Sequence, residues 1–356
     1  MPLAFSTSSL PRRLRLIFAI FLAQVACLPI GARADVPSAD QLRDRLLAVQ
    51  QTSTLNDQAL MPWHMKVSFD LLDPKGGITE HGTLEQWWAA PDRYRWTVTS
   101  PSYSATETRN AEGFFRTPVT QPLPLLLYVL HRELLSAIPA YNNITTSQPV
   151  VSRQNFGKAA LDCVMLAPPR KTSDPAPPTF LFPTYCLDPD QLNLRLSAAT
   201  GGQVIARNRL GHFQGKTVAL DLSISEGQTL ALKSSIDQLQ GFTPTEQDFQ
   251  PTADEKPRSD RTARVASGVI AGLKIGGPQP TYPQDAKQAH ISGTVILHAI
   301  IGQDGHVYDL TPVSSPSASL TYSAVAAVRS WTYRPYILNG EPTEVETTIT
   351  VNYKIS

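Results

Sequence analysis

Trp63-His64-Met65-Lys66-Val67-Ser68-Phe69-Asp70-Leu71 alternates apolar and polar side chains without a break. A period of two sets Trp63, Met65, Val67, Phe69 and Leu71 on one face and the polar residues on the other, which is a strand with one buried side. The Lys75-Gly76-Gly77 turn leads into a second run over 82–90, and beyond Pro91-Asp92 the residues Tyr94, Trp96 and Val98 mark a third strand. Connections this short make an antiparallel meander.

Upstream, residues 35–56 read as a helix, with Ser38 as N-cap and Leu42, Leu46, Leu47 and Val49 as its apolar stripe. Downstream, a helical stretch over 123–138 puts Leu126, Leu127, Leu130, Leu134 and Ile138 on one face, apolar enough to lie over a concave sheet. Strands resume near 161–166, 180–187, 192–198, 204–213, 217–225 and 230–239. Many short strands with helices set apart at two places predict an α+β fold, with a curved antiparallel sheet or half-barrel under covering helices. Between 241 and 266 the periodicity is lost, and Pro244, Pro251, Pro257 and a mixed-charge run over 254–264 read as a semi-extended, solvated linker. The expected organisation is therefore a domain over 35–240, that linker, and a second domain over 267–356.

The N-terminus carries Arg12, Arg13 and Arg15 ahead of an apolar run over 16–28, then Ala32-Arg33-Ala34. That is the layout of a secretory signal peptide over 1–34, which predicts export to the periplasm. The run is broken by Gln24 and Pro29 before reaching the about 20 apolar residues of a spanning helix. Cleavage after Ala34 is the favoured reading. An uncleaved inner-membrane anchor facing the periplasm is one alternative, and a lipid-modified Cys27 is another, opposed by Gln24 where a lipobox has an aliphatic residue. Removal of the signal leaves Cys163 and Cys186, which an oxidising compartment would join as a disulfide. Two free thiols or a metal site are the poorer readings, since two cysteines without nearby histidines do not complete a zinc site. A net charge of +1 supplies no basic face of the kind nucleic acid demands.

After the linker, Pro283 opens a helical turn over 283–290, and residues 294–301 form a strand with Val295, Leu297, Ala299 and Ile301 on one face. Asp304-Gly305 turns the chain into a partner strand over 307–313. Leu320, Ala324, Ala327, Val328 and Trp331 then recur at helical spacing, with Trp331 expected as a core anchor. Asn339-Gly340 makes a second turn, and Val345, Thr347, Ile349, Val351 and Tyr353 alternate with polar residues in a last strand.

These residues resemble the C-terminal domain of the TonB family. The resemblance rests on Gln279-Pro280-Thr281-Tyr282-Pro283, Gly293-Thr294-Val295, Asp304-Gly305-His306-Val307, the stretch from Ala324 through Ser330-Trp331-Thr332-Tyr333-Arg334-Pro335, and Asn339-Gly340. It implies capture of an extended TonB-box peptide of outer-membrane receptors by strand addition to a sheet edge, a mode that unpaired backbone groups permit. By resemblance the partner-binding residues are Gln279, Pro280 and Tyr282 with Val345, Thr347, Ile349 and Val351 of the last strand. Tyr282 has the competing reading of packing on the core. Inner-membrane motor proteins are a further implied partner. A full transducer, however, has a histidine in its membrane anchor and a proline-rich span, whereas here no histidine precedes His64 and a folded region fills the place of the span.

The N-terminal part is similar to lipoprotein-carrier domains of the LolA and LolB type, through Gly82-Thr83-Leu84-Glu85-Gln86-Trp87-Trp88, Pro91-Asp92-Arg93-Tyr94-Arg95, Cys186-Leu187-Asp188 and Leu192-Asn193-Leu194-Arg195. That likeness implies a concave face sheltering a lipid or lipoprotein acyl chain. Trp63, Trp87, Trp88 and Trp96 are the candidates to line it, against the competing reading of ordinary core. No catalytic residue, metal ligand set or cofactor is expected. The histidines His64, His81, His131, His212, His290, His298 and His306 show no metal spacing, and there is no G-x-S-x-G elbow.

Overall fold

The computed structural model describes residues 36–119, 121–139, 144–198, 202–258 and 262–355. The expected signal over 1–34 lies outside them. Helix α1 (Ala39–Ser53) starts where predicted: Ser38 and Gln41 close a capping box, and Leu42, Leu46 and Val49 are buried. Strands β1 (Trp63–Leu72), β2 (Ile78–Ala90), β3 (Arg93–Thr99), β4 (Ser104–Asn110) and β5 (Gly113–Arg116) follow, then α2 (Leu125–Leu135). The chain continues through β6 (Gln148–Phe156), β7 (Ala159–Ala167), β8 (Thr184–Leu187), β9 (Leu194–Ala198), β10 (Gln203–Phe213), β11 (Lys216–Glu226) and β12 (Thr229–Gly241). With β13 (Lys256–Arg258) these strands form one antiparallel sheet of 13 strands, in the order β13-β5-β4-β3-β2-β1-β12-β11-β10-β9-β8-β7-β6. The fold is α+β, with a large curved antiparallel sheet that does not close into a barrel.

Two meanders meet at the centre of this sheet, where β1 pairs with β12 from Trp63↔Gly241 to Leu71↔Leu232. The apolar face read from β1 is the buried one: Trp63, Met65, Val67 and Phe69 are at most 2% exposed. Helix α2 is shorter than the predicted 123–138, because Pro124 caps it and Ser136 leaves helical geometry. Its Leu127, Leu130 and Leu134 enter the same core as β1. Cys163 and Cys186 are directly opposed on β7 and β8 and are joined as a disulfide.

The segment read as a linker is structured. Phe249 is buried, β13 pairs with β5, and β14 (Ala263–Arg264) pairs with the last strand of the chain. Next come α3 (Ser267–Leu273), β15 (Lys274–Gly276), α4 (Gln284–Gln288), β16 (Gly293–Ile301), β17 (Val307–Ser314), α5 (Ala318–Val328), β18 (Thr332–Tyr333), β19 (Ile337–Leu338), β20 (Glu341–Pro342) and β21 (Val345–Tyr353). A second sheet has the order β14-β21-β16-β17. The buried faces of β16 and β21 share one core with Leu320, Ala324, Val325 and Val328 of α5. At the β16–β17 turn Gly305 has φ +81°, and a Cβ there would stand 1.9 Å from the Tyr333 carbonyl oxygen, so the predicted turn admits no side chain.

Trp331 departs from its expected place in the core. Helix α5 ends at Val328, so the helical spacing no longer aims this side chain inward. It is half-buried instead, its Nε1 donating to the Pro278 carbonyl at 2.7 Å with the Lys274 ammonium 4.2 Å from its ring.

The C-terminal layer packs against the large sheet from both flanks. Glu341 pairs with Arg116 of β5 and Arg258 of β13. Tyr322 and Arg329 donate to the carbonyls of Pro175 and Phe180 in the connection between β7 and β8. Tyr308 of β17 reaches into the core beneath α2, where its ring stacks on Tyr128 at 4.0 Å.

Candidate functional site

One flank of β21 is fully used: it pairs with β16 from Gly293↔Tyr353 to Ile301↔Val345. On the other flank β14 runs parallel to it over two residue pairs, Ala263↔Val345 and Arg264↔Glu346. The Ala263 and Val265 amides donate to the carbonyls of Glu344 and Glu346, each at 3.0 Å. Backbone groups along a strand point alternately to its two flanks. Those of Glu344 and Glu346 therefore fix the outward set as Thr348, Thr350 and Asn352 further along. Among the described residues no strand pairs with β21 on this side beyond Glu346.

The sequence-predicted set falls on the other phase. Val345, Thr347, Ile349 and Val351 are buried, and their backbone groups face β16. They hold the strand in place, while the groups on offer belong to the residues between them. Thr347 makes one contact toward the outer flank, its hydroxyl donating to the Val265 carbonyl at 2.8 Å.

Gln279 is exposed and Pro280 half-buried. Tyr282 is fixed: its hydroxyl donates to the Ile291 carbonyl at 2.5 Å, and its ring meets Tyr353 edge-on at 5.4 Å. Tyr282 thus packs as a structural residue, and brings the Gln279–Pro283 stretch to the far end of β21. Around the near end, Glu346 accepts from His298 at 3.1 Å and from Arg264 at 3.0 Å, and these bonds hold its carboxyl below the usual range. Glu344 is pushed the other way by burial, partly offset by the Thr262 hydroxyl. A shallow hollow of about 330 Å³ between Ala266, Ser267, His298 and Thr348 borders the point where β14 stops.

The four tryptophans do not line a common cavity. Trp63 and Trp88 stack at 5.7 Å inside the core and donate to the Leu55 carbonyl and the Asn56 side chain. Trp87 precedes Trp88 on the same strand, so it lies on the opposite face, stacked on His64 at 4.8 Å. Trp96 alone borders the chamber of about 520 Å³ between the large sheet and the C-terminal layer. That chamber is also lined by Glu107, Arg109, Arg116, Arg258 and Glu344, because the leucines of α2 already fill the apolar hollow. Phe114, Leu123, Tyr128 and Leu338 share the wall with these charges, so the chamber is mixed in character and not a continuous apolar hollow for an acyl chain.

His131 shows the depth of the chamber. It stacks on Trp96 at 4.1 Å and bonds to Gln86 at 2.8 Å, and burial holds its pKa down to about 3 against the ordinary 6.5. Below pH 6.5 the unfolded chain takes up a proton that the folded chain refuses. Stability tied to His131 is therefore intact above that pH and falls as the pH drops toward 3. Between pH 7 and pH 5 the loss is expected to approach about 2 kcal/mol. Urea unfolding of the protein and of His131→Gln at both pH values checks this, and an equal loss in the two proteins excludes His131 as its source.

Among the described residues, no group of three or more His, Cys, Asp or Glu side chains is placed to hold a metal ion, and no helix is long and apolar enough to cross a membrane. The helix–hairpin–helix–strand order, the Gln279–Pro283 stretch held through Tyr282, and the half-paired last strand together characterise the C-terminal part. Residues 278–355 match the family model of the Gram-negative bacterial TonB protein C-terminal.

The chain is also 28% identical over 114 residues to Protein TonB of Vibrio cholerae serotype O1, a stretch that covers 32% of this chain and 46% of that protein. It thus spans about half the length of this TonB relative. Among solved structures, a LolA superfamily protein from Nitrosomonas europaea aligns over 60% of this chain and 98% of its own, with a TM-score of 0.38 at 7% identity. A DUF1329 family protein from Desulfovibrio piger aligns over 60% and 99%, with a TM-score of 0.33 at 9% identity. Both scores are too low for either to identify the fold of the N-terminal part.

Proposed function

We propose that this is an exported envelope protein whose C-terminal domain, about residues 267–356, binds an extended TonB-box peptide of outer-membrane receptors as an added strand on the flank of β21 that no strand pairs beyond Glu346. The observation that carries the reading is the row of outward-facing backbone groups at Thr348, Thr350 and Asn352, left without a pairing strand inside a segment that matches the TonB C-terminal family. Residues 35–240 form the other domain in this reading, with 241–266 joining the two. The protein works in the periplasm, as a binder in TonB-type transport and not as an enzyme.

Proline at an outward position tests the edge selectively. Thr350→Pro removes one outward N–H; the alternation set by Glu344 and Glu346 turns the Thr350 backbone away from β16, so the ladder to β16 keeps its bonds. Binding of a synthetic TonB-box peptide from an outer-membrane receptor, followed by calorimetry, is expected to weaken at least tenfold with the circular dichroism spectrum unchanged. Full affinity in a folded Thr350→Pro protein would overturn the proposal.

A further inference from the structure

The head of the same flank is covered by the chain itself. Thr262 donates through its hydroxyl to the Glu344 carboxylate at 2.8 Å, the Ala263 and Val265 amides donate to the carbonyls of Glu344 and Glu346, and Arg264 pairs with the Glu346 carboxylate at 3.0 Å. The Thr347 hydroxyl closes the set on the Val265 carbonyl. Four consecutive residues thus make the contacts of a strand-adding peptide: backbone bonds to the edge, plus one polar and one charged side-chain match. Strand pairing then stops, because Ala266 caps α3, which stays beside β21 with Ile270 in the shared core.

The hold is shallow. Pairing is parallel and only two residues long, the less stable arrangement in the shortest form. The Arg264 side chain is 86% exposed, so its ion pair with Glu346 adds little. The hollow beside Ala266 and Thr348 leaves open space where the segment turns away.

On the reading that this flank accepts a peptide, we infer that residues Thr262–Val265 are a displaceable internal strand that occupies its head. While the segment is seated, a foreign strand meets only Thr348, Thr350 and Asn352. When it leaves, the accepting edge runs from Glu344 to Asn352 and nearly doubles in length. The peptide class favoured at the vacated head follows from what it replaces: a hydroxyl side chain facing Glu344, a small residue, a cation facing Glu346, then an aliphatic residue where Val265 packs on the core below. Because β13 is paired to β5 of the large sheet, the segment is tethered close to its seat and returns by an intramolecular step.

Two full-length variants loosen it by different means. Ala263→Pro removes the amide that bonds to Glu344, and Arg264→Glu sets like charges against Glu346. The probe is a labelled synthetic hexapeptide, Thr-Ala-Arg-Val-Ala-Ser, copying residues 262–267. In Ala263→Pro the Val265 amide is expected to exchange with solvent at least tenfold faster than in the parent protein and the hexapeptide to bind at least tenfold tighter, with Arg264→Glu shifting both in the same direction by a smaller, about twofold to fourfold, factor. Unchanged exchange in both variants, or faster exchange without tighter binding, overturns the inference. A receptor TonB-box peptide run in parallel separates the two ideas: hexapeptide capture without receptor-peptide capture leaves the internal strand standing and removes the receptor reading. Receptor-peptide affinity that is equal in parent and variants, with no hexapeptide capture, does the reverse.

Discussion

Tyr308→Ala is expected to loosen the C-terminal layer on the large sheet and to lower the midpoint of calorimetric unfolding. Tyr308 belongs to β17, whose Val307 and Leu310 sit in the C-terminal core, yet its own ring is 6% exposed and lies within the core of the large sheet. The stacking partner, Tyr128, is on α2. Tyr308 is therefore one apolar peg between the two cores; Phe182, edge-on to Tyr322 at 6.0 Å, is another. Truncating a large buried ring costs about 3–5 kcal/mol, and here the loss falls on the contact between layers rather than within either one. Tyr308→Phe keeps the ring and is expected to stay close to the parent. An unchanged midpoint in Tyr308→Ala would count against this role.

Glu133→Ala is expected to destabilise the large sheet by a similar amount, about 3–5 kcal/mol, because it leaves an uncompensated buried charge. Glu133 on α2 pairs with Arg207 on β10, and both side chains are 3% exposed. Burial lowers the Arg207 pKa, with Glu133 the main influence holding it up. Arg132 also bonds to Glu133, at 2.9 Å, but from the margin of the site. Urea denaturation measures the loss. The double replacement Glu133→Leu with Arg207→Leu is expected to recover most of it, since an apolar pair of similar bulk removes the charge and its partner together. A double variant as unstable as Glu133→Ala would mean that the pair is not what the alanine disrupts.

The parts legible in the sequence are those with an uninterrupted period. β1, the Ser38 N-cap of α1, the Asp304-Gly305 turn and the apolar stripe of α5 carry their pattern in nearby residues. β4 escaped notice because Ser104-Ala105-Thr106-Glu107-Thr108-Arg109-Asn110 buries polar side chains, among them Thr108 at 0% exposure. β6 ends the sheet order and is only half-buried along its length, so no clean alternation marks it. β13 and β14 are too short for any period, and only pairing partners far along the chain make them strands.

The same logic divides the candidate site. Alternation in β21 identified the strand and the family resemblance pointed to Val345, Thr347, Ile349 and Val351 as the contact set, whereas strand addition uses the backbone of the residues in between. The exposed Thr348, Thr350 and Asn352 were visible as the polar phase, but which phase faces the open flank depends on the carbonyls that β14 engages. The charged lining of the chamber, with Glu107, Arg116, Arg258 and Glu344, is assembled from distant stretches and had no local signature.

The pairing of β1 with β12 sets an order on how the molecule is made. Trp63 finds its partner only at Gly241, so the central ladder of the sheet waits until most of the chain exists. Closing so long a loop is slow compared with zipping neighbouring hairpins. In the interval each half-meander carries a bare apolar margin, the kind of surface on which nascent chains stick to one another. A growing polypeptide of this design depends on being shielded until its thirteenth score of residues has emerged, and a truncation short of β12 leaves the seam permanently open.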